Sequence, residues 1–377
     1  MLTKQDYQRY HRQIIIPEFG EEGQQKLKKA AVLVIGAGGL GAPILQYLTA
    51  AGIGKIGIVE FDEVSLSNLQ RQVLFEVEQV GSSKGQKAKE KLVKLNPDTS
   101  FELFEASINA SNAMAILKGY DLVIDGSDNL ATRYLVNDAS YFHRIPLVYG
   151  AIFRFEGQVS VFNAETKEGR GPNYRDLFPT PPPPEMVPSC SEGGVLGVLP
   201  GIIGSMMANE AIKLIAEIGE SLSGRLFVFD GLDFTTHTLK VERQKNNPLS
   251  GDNPSIHELI DYEAFCMGNI EKREIKEVSV AELNKKMSEN AVWLLDVRED
   301  YEYQIANLGA KLIPLNKVKS SASEIPTDRE VVVMCKVGGR SQKAIEILQA
   351  QGFTNLVNLK GGIEAWRNEI DPSLPAY

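Results

Sequence analysis

A run of aliphatic residues, AVLVI at 31–35, leads directly into Gly36-Ala37-Gly38-Gly39-Leu40-Gly41 and then into the apolar stretch APILQYLTAAG. A buried strand, a glycine-rich turn and a helix in that order open a parallel α/β sheet, because the glycines let the chain reverse tightly at the strand end. Backbone N–H groups in such a turn can approach a phosphate, and the helix N-terminus adds favourable potential. Asp62 follows the next strand, IGIVEF at 56–61, where a carboxylate can bind ribose hydroxyls. On these two features alone a nicotinamide or flavin dinucleotide is the first expectation.

The alternation continues through DLVID at 121–125 and PLVYG at 146–150, so a Rossmann-like α/β domain is expected to about Gly150. EGQVSVF, GRLFVFDG and FTTHTLKVER then read as longer, antiparallel strands that extend it. Between them, FPTPPPPEMVPSC is proline-stiffened and extended, an exposed loop able to carry Cys190 over a cleft. The uncharged run between Glu192 and Glu210, interrupted by Pro200 and Asn209, falls short of the ~20 apolar residues of a membrane span. It reads as a buried helix with its entry loop. RQKNNPLSGDNPS at 243–255 is polar, and a linker is expected over 246–273 between the first domain, 1–245, and a small α/β domain, 274–377.

Such a division suits 377 residues. With 49 acidic against 40 basic residues the net charge is −9, which disfavours nucleic acid and suits a basic partner surface. The start, MLTKQDYQRYHRQ, has no apolar core of signal-peptide length, so a cytoplasmic location without membrane association is expected. Cys190, Cys266 and Cys335 are far apart and odd in number, which is no disulfide framework.

Further residues turn the nucleotide expectation toward ATP. SLSNLQRQ at 65–72 groups Asn68, Gln70 and Arg71, Lys84 stands in GSSKGQKA, and Gly126-Ser127-Asp128-Asn129 follows a strand. Cations and amides can hold a triphosphate, and a carboxylate at a strand end can hold Mg²⁺, as nucleotidyl transfer requires. Taken singly, Arg12, Arg71 and Lys84 read as surface charges and Asp128 as a helix cap.

Together, GxGGLG, FDxVxxSNLxRQ, GxxKxxxA and the DGSDN run with Arg133 resemble the MoeB/ThiF family of ubiquitin-activating-like adenylyltransferases, over roughly residues 5–245. RYHRQI, FEGQVSVF and GVLGVLPGIIG fit in order. The resemblance implies adenylation of the C-terminal glycine of a small ubiquitin-like sulfur-carrier protein ending in Gly-Gly. ATP would be held by Gly38, Gly39, Asp62, Asn68, Arg71, Lys84, Asp128 and Asn129, with Mg²⁺ on Asp128 and the phosphates on Lys84. Arg12 would sit near the transferring group. Arg71 would be an arginine finger reaching into a neighbouring subunit's site, which implies a homodimer. An oxidoreductase with a redox-active cysteine domain is the rival reading, but it leaves Asn68, Arg71, Lys84 and Asp128 without a shared task. A nucleotide-sensing scaffold is another.

In the last domain, VVVMC ends at Cys335 and continues as Lys336-Val337-Gly338-Gly339-Arg340-Ser341 into an amphipathic helix. Successive N–H groups and a helix N-terminus can then face one sulfur and stabilise a thiolate or persulfide. A buried strand-end cysteine is the plainer alternative. With LLDVRE at 294–299 and GGIEAW at 361–366, this segment resembles the rhodanese-like sulfurtransferases over about 276–370. Four residues separate Cys335 from Arg340, one fewer than in the related cysteine phosphatases, which favours sulfur. A persulfide donor such as a cysteine desulfurase is implied; Lys336 stands where such domains often have Arg. Asp296 and Arg298 are expected to hold the domain together.

Cys190 occupies the position of the thiol that two-domain relatives link covalently to the carrier; the plainer reading is an unreactive loop cysteine. Many MoeB/ThiF proteins carry two C-x-x-C pairs for structural zinc. Here one segment reads Gly-Pro-Asn173-Tyr-Arg-Asp176 and the other, NPLSGDNP, has no cysteine, so zinc is not expected. Cys266 reads as an apolar filler. Molybdopterin, thiazole, cysteine and tRNA sulfur pathways all fit the sequence.

Overall fold

The structure, a computed structural model, describes residues 1–166, 169–182, 194–267, 275–289 and 291–375. The chain divides into two compact units, 1–270 and 271–377.

The strands of the first unit are β1 (Ala31–Ile35), β2 (Lys55–Val59), β3 (Ser100–Phe104), β4 (Leu122–Asp125), β5 (Leu147–Phe153), β6 (Glu156–Phe162), a short hairpin of β7 (Glu165–Thr166) and β8 (Gly169–Arg170), β9 (Arg225–Asp230) and β10 (Thr235–Lys240). All but the hairpin form one sheet in the order β10-β9-β6-β5-β4-β1-β2-β3. β1 to β5 run parallel, and β6, β9 and β10 extend them antiparallel. Every residue of β1 is buried, and its side chains alternate between two cores. Val32 and Val34 pack into a cluster with Ile44, Leu48 and Met207, while Leu33 and Ile35 pack with Val123, Tyr134 and Tyr149. A central parallel strand covered on both faces needs this unbroken apolar run.

The helices of this unit are α1 (Lys4–Ile14), α2 (Gly20–Lys29), α3 (Gly41–Ala51), α4 (Lys84–Leu95), α5 (Ala113–Leu117), α6 (Leu130–His143), α7 (Tyr174–Leu177), α8 (Leu199–Ala216) and α9 (Tyr262–Met267). α1 starts on a capping box of Thr3 and Asp6. α8 is the buried helix expected between Glu192 and Glu210, entered through Pro200 in its first turn. Among the described residues no helix is long and apolar enough to cross a membrane.

One strand has no strong signal in the sequence, and the linker region is more ordered than its composition suggests. SFELF at 100–104, β3, was not read as a strand; it is the sheet's edge and alternates exposed with half-buried positions, so it lacks the apolar run of its neighbours. Of the stretch 246–273, expected as linker, the described residues 246–267 belong to the compact first unit, where Asn247, Leu249 and Tyr262 are buried. Asn247, its buried polar residue, bonds to Asn173 and Asp176, and Tyr262 bonds to Asp138.

In the second unit β11 (Lys276–Val278), β12 (Trp293–Asp296), β13 (Lys311–Leu312), β14 (Val331–Met334) and β15 (Leu356–Leu359) form a parallel sheet in the order β11-β15-β14-β12-β13. Its helices are α10 (Val280–Ser288), α11 (Asp300–Ile305), α12 (Leu315–Val318), α13 (Gly339–Ala350) and α14 (Gly362–Glu369). β14, the central strand, is buried throughout and delivers Cys335 to its C-terminal end.

Candidate functional site

At the C-terminal ends of the parallel strands of the first unit lies a cavity of about 860 Å³. Parallel sheets place ligands at this end because loops and helix N-termini converge there. Gly36, with φ of +87°, turns the chain out of β1, and a Cβ on Gly41 would sit 2.0 Å from the Gly36 carbonyl oxygen. Only glycine lets α3 begin so close to the strand.

The turn is held from below by a residue the sequence reading passed over. Glu60, buried at the end of β2, accepts the Ala37 N–H at 2.8 Å through Oε2. Its Oε1 accepts the N–H groups of Phe61 and Asp62 at 3.0 and 2.9 Å. One carboxylate thus fixes the glycine turn relative to the segment carrying Asp62.

The cavity walls bring together Gly38, Gly39, Asp62, Asn68, Arg71, Lys84, Asp128 and Asn129. Lys84, nearly buried at the start of α4, places Nζ 3.0 Å from Asp62 Oδ2. Arg71 runs along Gly39, whose Cβ would lie 3.5 Å from Arg71 Cγ, and its Nη1 donates to the Ser67 carbonyl at 3.3 Å. Asp128 is exposed, whereas Asn129 caps α6, its Oδ1 accepting the Thr132 N–H at 2.8 Å. Below them burial pushes the Asp125 carboxyl above the usual range, opposed by the Arg133 guanidinium.

The two arginines named for the transfer step lie in different places in the chain. Arg71 lines the cavity of its own chain, so its place there requires no neighbouring subunit. Arg12 lies exposed on α1 and is not among the residues lining that cavity. Cys190 lies outside the described residues.

In the two segments that stand in place of the C-x-x-C pairs, two i, i+3 pairs do meet, but through polar side chains. Asn173 Nδ2 donates to Ser250 Oγ at 2.7 Å, and Asn247 Nδ2 donates to Asp176 Oδ1 at 2.7 Å and to Asn173 Oδ1 at 3.2 Å. Asn247 Oδ1 accepts the N–H groups of Leu249 and Ser250. Among the described residues no three His, Cys, Asp or Glu side chains converge as for a metal ion. Cys266 is half-buried against the Tyr134 cluster, and burial raises its thiol to about 11.

In the second unit Cys335 is buried, with its Sγ 3.1 Å from the Gly338 N–H. Gly338 takes φ of +107°, a conformation that turns this loop back over the sulfur. Ser341 Oγ lies 3.4 Å from the sulfur, 2.9 Å from the Gly338 carbonyl and 2.6 Å from Asn358 Oδ1. With one proton it serves one of these acceptors at a time. The carbonyls of Cys335 and Lys336 accept the N–H groups of Ile363 and Glu364, which ties the loop to GGIEAW.

Arg340 forms a two-pronged ion pair with Glu302, at 2.5 and 2.6 Å. Burial opposes charge on Glu302, but Arg340, the Glu299 N–H and the Arg298 charge together hold the carboxyl below its usual range. Arg298 and Asp296 are fully buried and paired, and Arg298 also donates to the Ala306 carbonyl at 2.7 Å. These two brace the unit behind the loop.

Two family models match the sequence: the ThiF family over residues 10–250 and the Rhodanese-like domain over 279–369. The chain is 46% identical over its whole length to a probable adenylyltransferase/sulfurtransferase MoeZ of Mycobacterium tuberculosis, covering 96% of that protein. It is 40% identical over its whole length to the adenylyltransferase and sulfurtransferase MOCS3 of Drosophila grimshawi, covering 87% of it. A sulfur carrier protein adenylyltransferase of Thermus thermophilus is 53% identical over 70% of this chain and 98% of its own. A crystal structure of E. coli MccB with succinimide shares the fold, with a TM-score of 0.58 at 21% identity, over 66% of this chain and 75% of that one. With relatives matched along its whole length, this chain belongs to the ThiF family and carries a rhodanese-like domain as its C-terminal unit.

Proposed function

We propose that the first unit uses ATP to adenylate the C-terminal carboxylate of a small ubiquitin-like sulfur-carrier protein, and that the second unit then sulfurates it. The observation that carries this reading is the convergence of a glycine turn, Asn68, Arg71, Lys84 and Asp128 on one cavity. A triphosphate needs this set and a hydride-transfer site does not. The relatives' names point the same way and give no support to an oxidoreductase.

The carrier carboxylate attacks the α-phosphorus of ATP, the α–β P–O bond breaks, and pyrophosphate leaves with the electron pair. The chain supplies position and charge: the glycine turn and the N-terminus of α3 face the phosphates, with Lys84 and Arg71 beside them. Asp128 offers the hard oxygen ligand that Mg²⁺ takes, and the ion would supply charge neutralisation on the phosphates. A persulfide on Cys335, loaded by a donor such as a cysteine desulfurase, then attacks the acyl carbon, and AMP leaves. A thiol must break the resulting S–S bond to free the thiocarboxylate. Cys190 is the thiol we assign to this step, ending as a disulfide that a reductant reopens. The enzyme works as a cytoplasmic homodimer, without structural zinc.

The test is pyrophosphate exchange into ATP in the presence of a Gly-Gly-terminated carrier. Carrier-dependent exchange is expected, with no consumption of NAD(P)H. ATP binding without exchange on any carrier would leave a nucleotide sensor instead.

A further inference from the structure

One wall of the nucleotide cavity comes from residues that neither family model covers. Leu259, Ile260, Asp261, Tyr262 and Glu263 line it, whereas the ThiF match ends at residue 250 and the rhodanese match starts at 279. This wall is anchored at both ends. Upstream, Asn247 and Ser250 are tied to Asn173 and Asp176. Downstream, the Tyr262 hydroxyl donates to Asp138 Oδ2 at 2.8 Å, and Asp138 is held by Arg175 through bonds of 2.8 and 2.7 Å, with all three side chains buried. The Arg175 guanidinium also lies 4.9 Å from the Phe265 ring, so α9 is pinned against α6.

The cavity lining carries two kinds of chemistry. Gly38, Gly39, Asn68, Arg71, Lys84 and Asp128 supply backbone N–H groups, cations and polar side chains. Leu259 and Ile260 belong to one apolar cluster with Ile108, Ala131 and Leu135. A nucleoside triphosphate is divided in the same way: its phosphates need cations and N–H donors, and its purine is a flat ring that gains most by leaving water.

Resting on the adenylation reading above, we propose that Leu259 and Ile260 form the base-binding wall for the purine of ATP, and that Tyr262 is the positioning residue that holds this wall in place. The segment between the two matched domains is thereby part of the nucleotide site. The main competing occupant is the carrier's C-terminal tail.

Full-length protein carrying Leu259→Ala with Ile260→Ala tests this by binding ATP, adenosine and inorganic tripolyphosphate. Both side chains are only half-buried, so truncation leaves the core intact. ATP and adenosine affinity should each fall about tenfold while tripolyphosphate affinity is unchanged. Lys84→Ala, the control, should weaken ATP and tripolyphosphate and spare adenosine. Tyr262→Phe keeps the ring packing and should shift the ATP-to-tripolyphosphate ratio the same way, by a few fold. Equal loss for ATP and tripolyphosphate, or a raised carrier KM with unchanged ATP affinity, would overturn the base-wall assignment while leaving adenylation intact. Wild-type protein that binds no ATP would remove both readings together.

Discussion

The Glu60 carboxylate reaches back from the end of β2 to accept the Ala37 N–H at 2.8 Å, so the glycine turn is fixed by a side chain from the neighbouring strand. Glu60→Gln replaces one acceptor oxygen with an NH₂ group that faces an N–H. The turn should loosen, with an ATP KM several-fold higher, a smaller change in kcat and a stability loss of about 1–3 kcal/mol. Paired pyrophosphate-exchange kinetics and urea unfolding would check it, and unchanged values for both would show that the turn holds itself.

Arg71 and Asp128 line one cavity within one chain. Arg71→Ala and Asp128→Ala should each be nearly inactive, and mixing them under subunit exchange should restore nothing, because every site still lacks one group. Arg12→Ala mixed with Asp128→Ala is the comparison for a trans-acting arginine, since Arg12 lies outside its own cavity. Recovered exchange in the Arg71 mixture would place Arg71 in the neighbour's site after all.

The polar clasp of Asn173, Asp176, Asn247 and Ser250 makes a prediction about metal. Purified protein should hold no stoichiometric zinc, and a chelator should leave its melting temperature unchanged. Asn247→Ala should cost about 1–3 kcal/mol, since Asn173 and Asp176 each lose a buried partner. Replacing all four by Cys puts thiolates at i, i+3 spacing in contact, and this variant should take up zinc and become chelator-sensitive. Zinc surviving dialysis in the wild-type protein would contradict the clasp.

Glu302 makes the stability of the second unit depend on pH. Its folded-state value lies below the ordinary 4.5, so its charged form stabilises the fold. That contribution is fully present above 4.5 and is lost as pH falls through the lowered folded value. Acid unfolding followed at Trp293 or Trp366 should be shallower in Glu302→Gln over that window. An identical acid profile would mean that the Arg340 pair contributes nothing.

The sequence made the elements with strong chemistry legible. β1 with its glycine turn, Lys84, Asp128 and the Cys335 loop could all be placed, because glycine conformation and strand-end position are local properties. Three things were not legible. β3 is an edge strand with weak apolar patterning, and Glu60 looks like one more charge until its partners are seen. The stretch from Asn247 to Tyr262 reads as linker because composition cannot distinguish polar groups that bond to water from those that bond to one another.

The most direct test of the two-step account is Cys335→Ala, assayed for both activities with a carrier that wild-type protein converts. Carrier-dependent pyrophosphate exchange should stay near wild type, because no sulfur is needed before the acyl-adenylate forms. Intact mass of the carrier should show no replacement of its terminal hydroxyl oxygen by sulfur, whereas wild-type protein with ATP and a persulfide donor shows it fully. Thiocarboxylate still formed by the folded variant, or exchange lost along with it, would contradict the division of labour between the two units.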